Sequence, residues 1–184
     1  YLNDIVDRFL IIEADVTHTG KKKPWNFPEV LKNKLNKYSN KIEYYQMKVD
    51  LEKAETEQDP RYKSLKGSLS NTGRSWKVEN MQRNFIKEAY KKSLTSDDDV
   101  IIISDLDEIP SKDKISFIKT CDFKKIAPVA FAQSLFHLSC NYLDLEDWIG
   151  SVAITKQLIE KYEPQIFRNY KNRISHFANA GWSF

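Results

Sequence analysis

The chain has 184 residues, 41% of them hydrophobic and 12% aromatic, enough apolar material for one folded domain and too much for wholesale disorder. Its 29 Lys and Arg against 26 Asp and Glu leave a formal charge of +3, too even a balance for a dedicated nucleic-acid binder. With five glycines and two cysteines, collagen-like, disulfide-scaffold and zinc-ribbon architectures are excluded.

In chain order, Phe9-Leu-Ile-Ile12 is a short apolar run ending in Glu13 and reads as a buried strand. The basic loop Lys21–Trp25 follows, and Pro28 to Tyr38 reads as a short helix with a lysine-rich outer face. Ile42 to Val49, rich in aromatic and branched residues, is predicted as a second strand. From Asp50 to Ser75 the composition turns polar, with Pro60, Gly67 and Gly73, and predicts a long loop of functional kind. Helical periodicity returns at Trp76, where Val78, Met81, Phe85 and Ala89 share one face and Glu79 and Arg83 sit four apart on another. Val100-Ile-Ile-Ile-Ser104 has the unbroken apolar run of a central strand covered on both faces. A helix over Lys112–Thr120, one or two strands over Val129–Tyr142 and a helix over Thr155–Tyr162 complete the pattern. The tail from Gln165 to Phe184 reads as irregular. Strand–helix alternation around a long apolar strand argues for an α/β sheet with helices on both faces.

The longest apolar runs fall far below the ~20 residues that span a bilayer, so no transmembrane segment is expected in this chain. No signal-peptide pattern and no Asn-x-Ser/Thr acceptor is present. Cys121 and Cys140 have no Cys-x-x-Cys partner and read as small apolar side chains. The lysines from Lys21 to Lys48 recur at helical spacing and read as a solvated helix face rather than a nucleic-acid patch.

Chemistry concentrates at Asp105-Leu106-Asp107-Glu108, directly after the central strand. In open α/β sheets ligands bind beyond the carboxyl ends of strands. Two carboxylates one residue apart there can lean toward one cation, and oxygen donors suit Mg²⁺ or Mn²⁺ bridging a diphosphate. An apolar strand followed by Asp-x-Asp occurs in haloacid-dehalogenase-like phosphatases, where the first Asp (here Asp105) is the nucleophile, and in nucleotide-sugar glycosyltransferases of the GT-A fold. The mid-chain position of the motif favours the second class.

Four segments, in order, carry a specific likeness: Val6–Gly20 with Lys23-Pro24, Trp76-Lys-Val-Glu-Asn-Met-Gln-Arg83, Asp98–Pro110, and Ala180-Gly-Trp-Ser-Phe184. On these the chain resembles glycosyltransferase family 17, whose known members are N-acetylglucosaminyltransferases. The resemblance implies a GT-A-like single domain over residues 1–184, incomplete at both ends, with a mostly parallel central sheet. It also implies a UDP-sugar donor (UDP-GlcNAc), a glycan or glycoconjugate acceptor, and transfer with inversion. Carried over by position, Asp105 and Asp107 bind the metal, Mn²⁺ or Mg²⁺, and the diphosphate. Glu13 faces the nucleoside or shapes the donor pocket. Arg83 either neutralises diphosphate charge or anchors Glu79 and Asp105.

Ser183 stands where the resemblance expects a late histidine completing the metal shell, and His176 is the nearby candidate to replace it. This departure keeps a catalytically weakened sugar-binding module as an alternative. Inversion needs a general base. Glu108, next to the metal pair, and Asp147, before Trp148-Ile-Gly150, which reads as an acceptor-side turn, lead a set that includes Asp144 and Glu146. Trp148 offers a face for a sugar ring, and Lys21–Lys23 offer point charges for phosphate. The polar loop 50–75 is expected on the acceptor side, ordering when the donor binds. The compartment stays open: cytoplasm for a microbial or viral enzyme, Golgi lumen for an animal-type one.

Overall fold

A computed structural model describes residues 1–50, 74–137 and 141–184. The predicted loop 50–75 falls almost wholly outside the described residues, as does Cys140. The chain divides into two compact units, residues 7–93 and residues 1–6 with 94–184.

In the first unit, β1 (Phe9–Ala14) and β2 (Ile42–Met47) pair in parallel, with Phe9 opposite Ile42 and Ala14 opposite Met47. The lysine-rich segment between them is helical but broken. One turn of α1 (Phe27–Val30) passes into a π-helical stretch, Leu31–Leu35, and then a 3-10 stretch, Asn36–Lys41. The long helix α2 (Arg74–Lys92) covers the strands with the predicted face. Val78 is buried against Ala14, Val16, Met47 and Val49, with Met81 and Phe85 packed alongside, and Gln82 Nε2 donates to the Ile12 carbonyl at 3.0 Å.

The second unit is built on a mixed sheet. Its strands are β3 (Val100–Ile103), β4 (Glu108–Pro110), β5 (Val129–Leu135), β6 (Trp148–Thr155), β7 (His176–Phe177) and β8 (Gly181–Ser183). Their order is β3-β6-β5-β8-β4, with β7 also on β5. β6 is antiparallel to β3 and β5, β4 is antiparallel to β8, and β7 and β8 run parallel to β5. The expectation of a mostly parallel sheet is therefore corrected to a mixed one. The apolar strand read as central, β3, lies at one end of this order; the deepest strands are β5 and β6, where Phe131, Val152, Ala153 and Ile154 are fully buried. Trp148-Ile-Gly150, read as a turn, opens β6, and the tail read as irregular contributes a helix and two strands.

Helices α3 (Lys112–Thr120), α4 (Lys156–Lys161) and α5 (Pro164–Asn169) complete the unit. Thr155 caps α4 through its hydroxyl, which accepts from the Leu158 N–H, and Pro164 starts α5 in the first-turn position proline tolerates. Ile118 and Phe123 pack on Val129, Phe131, Ala153 and Ala180 to form the core. β8 reaches β4 only because residue 181 is glycine. Its φ is +129°, and a Cβ there would stand 2.0 Å from the Ile109 carbonyl oxygen.

Candidate active site

β3 delivers the chain to Asp105, where it folds back on itself. The Glu108 N–H donates to the Asp105 carbonyl (3.2 Å), the Asp105 N–H donates to Glu108 Oε2 (3.1 Å), and the Ser104 hydroxyl donates to the Glu108 carbonyl (3.0 Å). The turn sends Leu106, 95% exposed, and Asp107 outward, and sends Glu108 inward. The three acids thus fall into three environments: Asp107 is exposed, Asp105 is one-third exposed, and the Glu108 side chain is 1% exposed.

A buried carboxylate is costly unless paired and hydrogen-bonded. Arg168, from α5, supplies the partner. Its Nη1 and Nη2 donate to Glu108 Oε2 and Oε1 at 2.8 and 2.7 Å, Nη2 also reaches Asp105 Oδ2 at 2.8 Å, and Nη1 bonds the Gly150 carbonyl. The fork geometry of a guanidinium suits this bidentate grip. Trp148 Nε1 adds a bond to Glu108 Oε1 at 2.8 Å, and Lys171 Nζ lies 3.5 Å from the centre of the Trp148 ring. Gly150 is required here because a Cβ would stand 1.8 Å from Gln133 Oε1 and 3.0 Å from Glu108 Cδ.

Glu108 therefore acts as the anchor of Arg168, with both oxygens committed. That arrangement does not suit the general-base role expected of it. Asp147 is exposed, immediately before β6. Trp148 is 39% exposed, with its indole N–H turned to Glu108 and a lysine over its ring, which narrows its use as a sugar platform. Ser183 is buried in β8 opposite Glu108. His176 cannot stand in for the expected late histidine. It pairs with Ala130, five residues back along β5 from Leu135, the partner of Ser183, and at about 3.3 Å per residue it lies roughly 16 Å from that end.

In the other unit, Glu13 ends β1 under four donors: Lys23 Nζ (2.5 Å) and Asn26 N–H (2.9 Å) on Oε1, Phe27 N–H (3.2 Å) and the Tyr44 hydroxyl (2.6 Å) on Oε2. Burial raises its pKa, but these four bonds outweigh burial and bring it down to about 2. Burial and its bond to Glu13 push Tyr44 up to about 12. Glu13 thus staples the basic loop to both strands, a task that occupies the oxygens expected to face a nucleoside. Lys22 and Lys23, expected to hold phosphate, are paired with Asp15 (2.7 Å) and Glu13. Arg83 pairs with Glu79 on its own helix at 2.5 Å, one of the two pairs the anchoring alternative names, and Asp105 accepts from Arg168 at 2.8 Å.

Two groups escaped the sequence reading. Arg168 lies in the stretch read as irregular, and no local spacing links it to Asp105 or Glu108; the usable signal was that a third acid pointing into a sheet demands a cation. The other is His137, whose Nε2 stands 2.8 Å from Asp144 Oδ2.

An exposed acid beside a guanidinium-braced one, where a strand ends, is an arrangement able to hold a cation against an anionic leaving group. The chain matches, over residues 1–184, the family described as Glycosyltransferase family 17, and it belongs to that family. It is 28% identical over 203 residues to the human Beta-1,4-mannosyl-glycoprotein 4-beta-N-acetylglucosaminyltransferase, 28% to the rat protein of that name and 27% to the mouse one. Each match covers 99% of this chain and 34% of the relative, so the chain spans about a third of their length. No solved structure matches it. Among the described residues no helix is long and apolar enough to cross a membrane.

Proposed function

We propose that this chain is the catalytic unit, GT-A-like in fold, of an inverting glycosyltransferase that moves N-acetylglucosamine from UDP-GlcNAc to a glycan hydroxyl. A β-mannosyl glycoconjugate is the acceptor class, by analogy with the names of the mammalian relatives. The observation that carries the reading is the pairing of exposed Asp107 with Asp105, braced by buried Arg168.

The donor set is compatible with a divalent cation. Arg168 grips buried Glu108 and touches Asp105, while the exposed carboxylate of Asp107 stands two residues on at the same strand end. Among the described residues no group of three or more His, Cys, Asp or Glu forms a cage. Mg²⁺ and Mn²⁺ tolerate such a site, since they retain waters and accept substrate phosphate oxygens beside one or two carboxylates. Asp105 and Asp107 would hold the ion, which would offset charge on the departing diphosphate. Arg168 fixes the Asp105 carboxylate so that it need not reorganise.

Calorimetric titration with UDP, with and without Mn²⁺, tests the proposal. Metal-dependent binding that disappears in Asp107→Asn supports it; absence of UDP binding by the intact protein removes its main support. Buried Ser183, in place of a metal-binding side chain, favours the weakened sugar-binding alternative. Binding of UDP and Mn²⁺ without turnover would select that alternative. The phosphatase reading requires hydrolysis of a simple phosphate ester, lost in Asp105→Asn.

A further inference from the structure

We propose that His137, oriented by Asp144, is the general base that takes the proton from the acceptor hydroxyl. This inference rests on the transferase reading above.

The dyad is built by the backbone. Beyond β5 the chain continues through Phe136, which bridges antiparallel to Leu143. His137 N–H donates to the Tyr142 carbonyl at 2.9 Å, and Asp144 N–H donates to the Leu135 carbonyl at 2.8 Å. This return sets two side chains seven residues apart within 2.8 Å, Nε2 to Oδ2.

The register places the dyad on the sheet face of Glu108. Leu135 is opposite Ser183, and Ser183 is opposite Glu108, so Leu135 and Glu108 lie two strand spacings apart, about 10 Å. Residues directly opposite share a sheet face, and alternate residues along a strand do too. Gln133, Leu135 and His137 thus follow one another on the face of Glu108 and Ser183. Gln133 and Glu108 do converge, since both approach the position of a Cβ on Gly150. On the opposite face, Phe136 stacks on Phe184 at 5.5 Å, and Phe184 N–H donates to the Asp107 carbonyl at 3.2 Å. His137 is therefore the next side chain outward on the face of Glu108, about 7 Å beyond Leu135 along the chain.

The chemistry fits the role. With Nε2–H given to Asp144, the lone pair lies on Nδ1, which has no partner among the described residues, and the ring is half exposed at 49%. The bond from His137 holds the Asp144 carboxyl below its usual range, so an anion is in place to stabilise the imidazolium. Glu108 is spent on Arg168, whereas Asp147 is exposed, with no side-chain partner to orient it among the described residues.

In the step, the acceptor oxygen attacks the anomeric carbon of the donor sugar and forms the new C–O bond. The bond from that carbon to the β-phosphate oxygen breaks, and UDP leaves with the electron pair. The hydroxyl proton passes to His137 Nδ1 and later to water.

The test uses the full chain with UDP-GlcNAc and Mn²⁺, reading hydrolysis to water and transfer to p-nitrophenyl β-D-mannoside. His137→Ala should retain metal-dependent UDP binding and donor KM while kcat falls by about 10²–10⁴-fold, the usual worth of a positioned base. Added imidazole should restore part of that loss in His137→Ala and none in Asp147→Asn. Asp144→Asn should lower kcat without donor KM. Wild-type turnover in His137→Ala, a loss without imidazole rescue, or rescue confined to Asp147 variants with a small carboxylate overturns the proposal while leaving the transferase reading intact. Failure of the wild-type chain to bind UDP, or binding with no turnover, overturns both.

Discussion

Arg168→Met is the most informative single perturbation of the second unit. In the native chain the guanidinium, 4% exposed, gives two bonds to Glu108, one to Asp105 and one to the Gly150 carbonyl. Methionine fills much of the volume but leaves the Glu108 carboxylate, 1% exposed, without its counter-charge. Breaking a buried pair from one side costs about 3–5 kcal/mol. Glu108 would keep its bonds from Trp148 Nε1 and the Asp105 N–H, so the lower end, about 3 kcal/mol, is expected. For a chain of this size that is a fall in Tm of roughly 6–12 °C. The decisive comparison is the double variant Arg168→Met/Glu108→Gln. With no buried charge left to solvate, it should recover a large part of the loss, and the two single effects should be far from additive. Thermal unfolding followed by calorimetry and tryptophan fluorescence reads all three. A cost under about 1 kcal/mol for Arg168→Met, or strict additivity in the cycle, would refute a network held by charge pairing.

In the first unit, the Glu13 pKa of about 2 lies below the ordinary 4.5, so its stabilisation is complete above about pH 4.5 and is lost as pH falls toward 2. Glu13→Gln should flatten the acid limb of stability in that window, by roughly 3 kcal/mol at most, measured by denaturant unfolding at fixed pH steps. Gly150→Ala drives a methyl into Gln133 Oε1 and Glu108 Cδ and should cost about 1–3 kcal/mol in urea unfolding, with UDP binding weakened alongside. Asp107→Asn, at an exposed position, should leave Tm essentially unchanged, within about 0.5 kcal/mol, while metal-dependent UDP binding disappears in calorimetry.

The legible parts of the fold were those where local periodicity and final environment agree. The face Val78, Met81, Phe85 repeats at helical spacing because it packs on one surface, and α3 matches its predicted bounds because Ile115 and Ile118 are its buried pair. β3 was visible as a strand, but its place in the order was not. An unbroken apolar run reports burial, which a strand at the end of the order obtains from packing as readily as a central one does. Trp148-Ile-Gly150 reads as a turn from the sequence, yet it opens β6, and its glycine is the residue that lets Glu108 and Gln133 approach that strand. The short β7 and β8 gave no alternation long enough to read; they exist through pairing with β5, up to 48 residues earlier in the chain.

The site shows the same division between local and non-local information. Asp105 and Asp107 were legible because strand and acids are contiguous, and contiguity fixes both in one turn. What each acid does is decided by groups far away in sequence: Arg168 by Asp105 and Glu108, and Trp148 by Glu108. A cluster of three carboxylates with no cation would repel itself, and a cluster fully neutralised by arginines would have no affinity for a metal. One buried guanidinium, spent on the inner acid and touching the middle one, stabilises the fold and leaves the outer acid, Asp107, exposed. That asymmetry requires the innermost acid to be structural. In the transfer proposed above the proton is then taken by a group outside the cluster, and on the face of Glu108 the next side chain beyond β5 able to take it is His137.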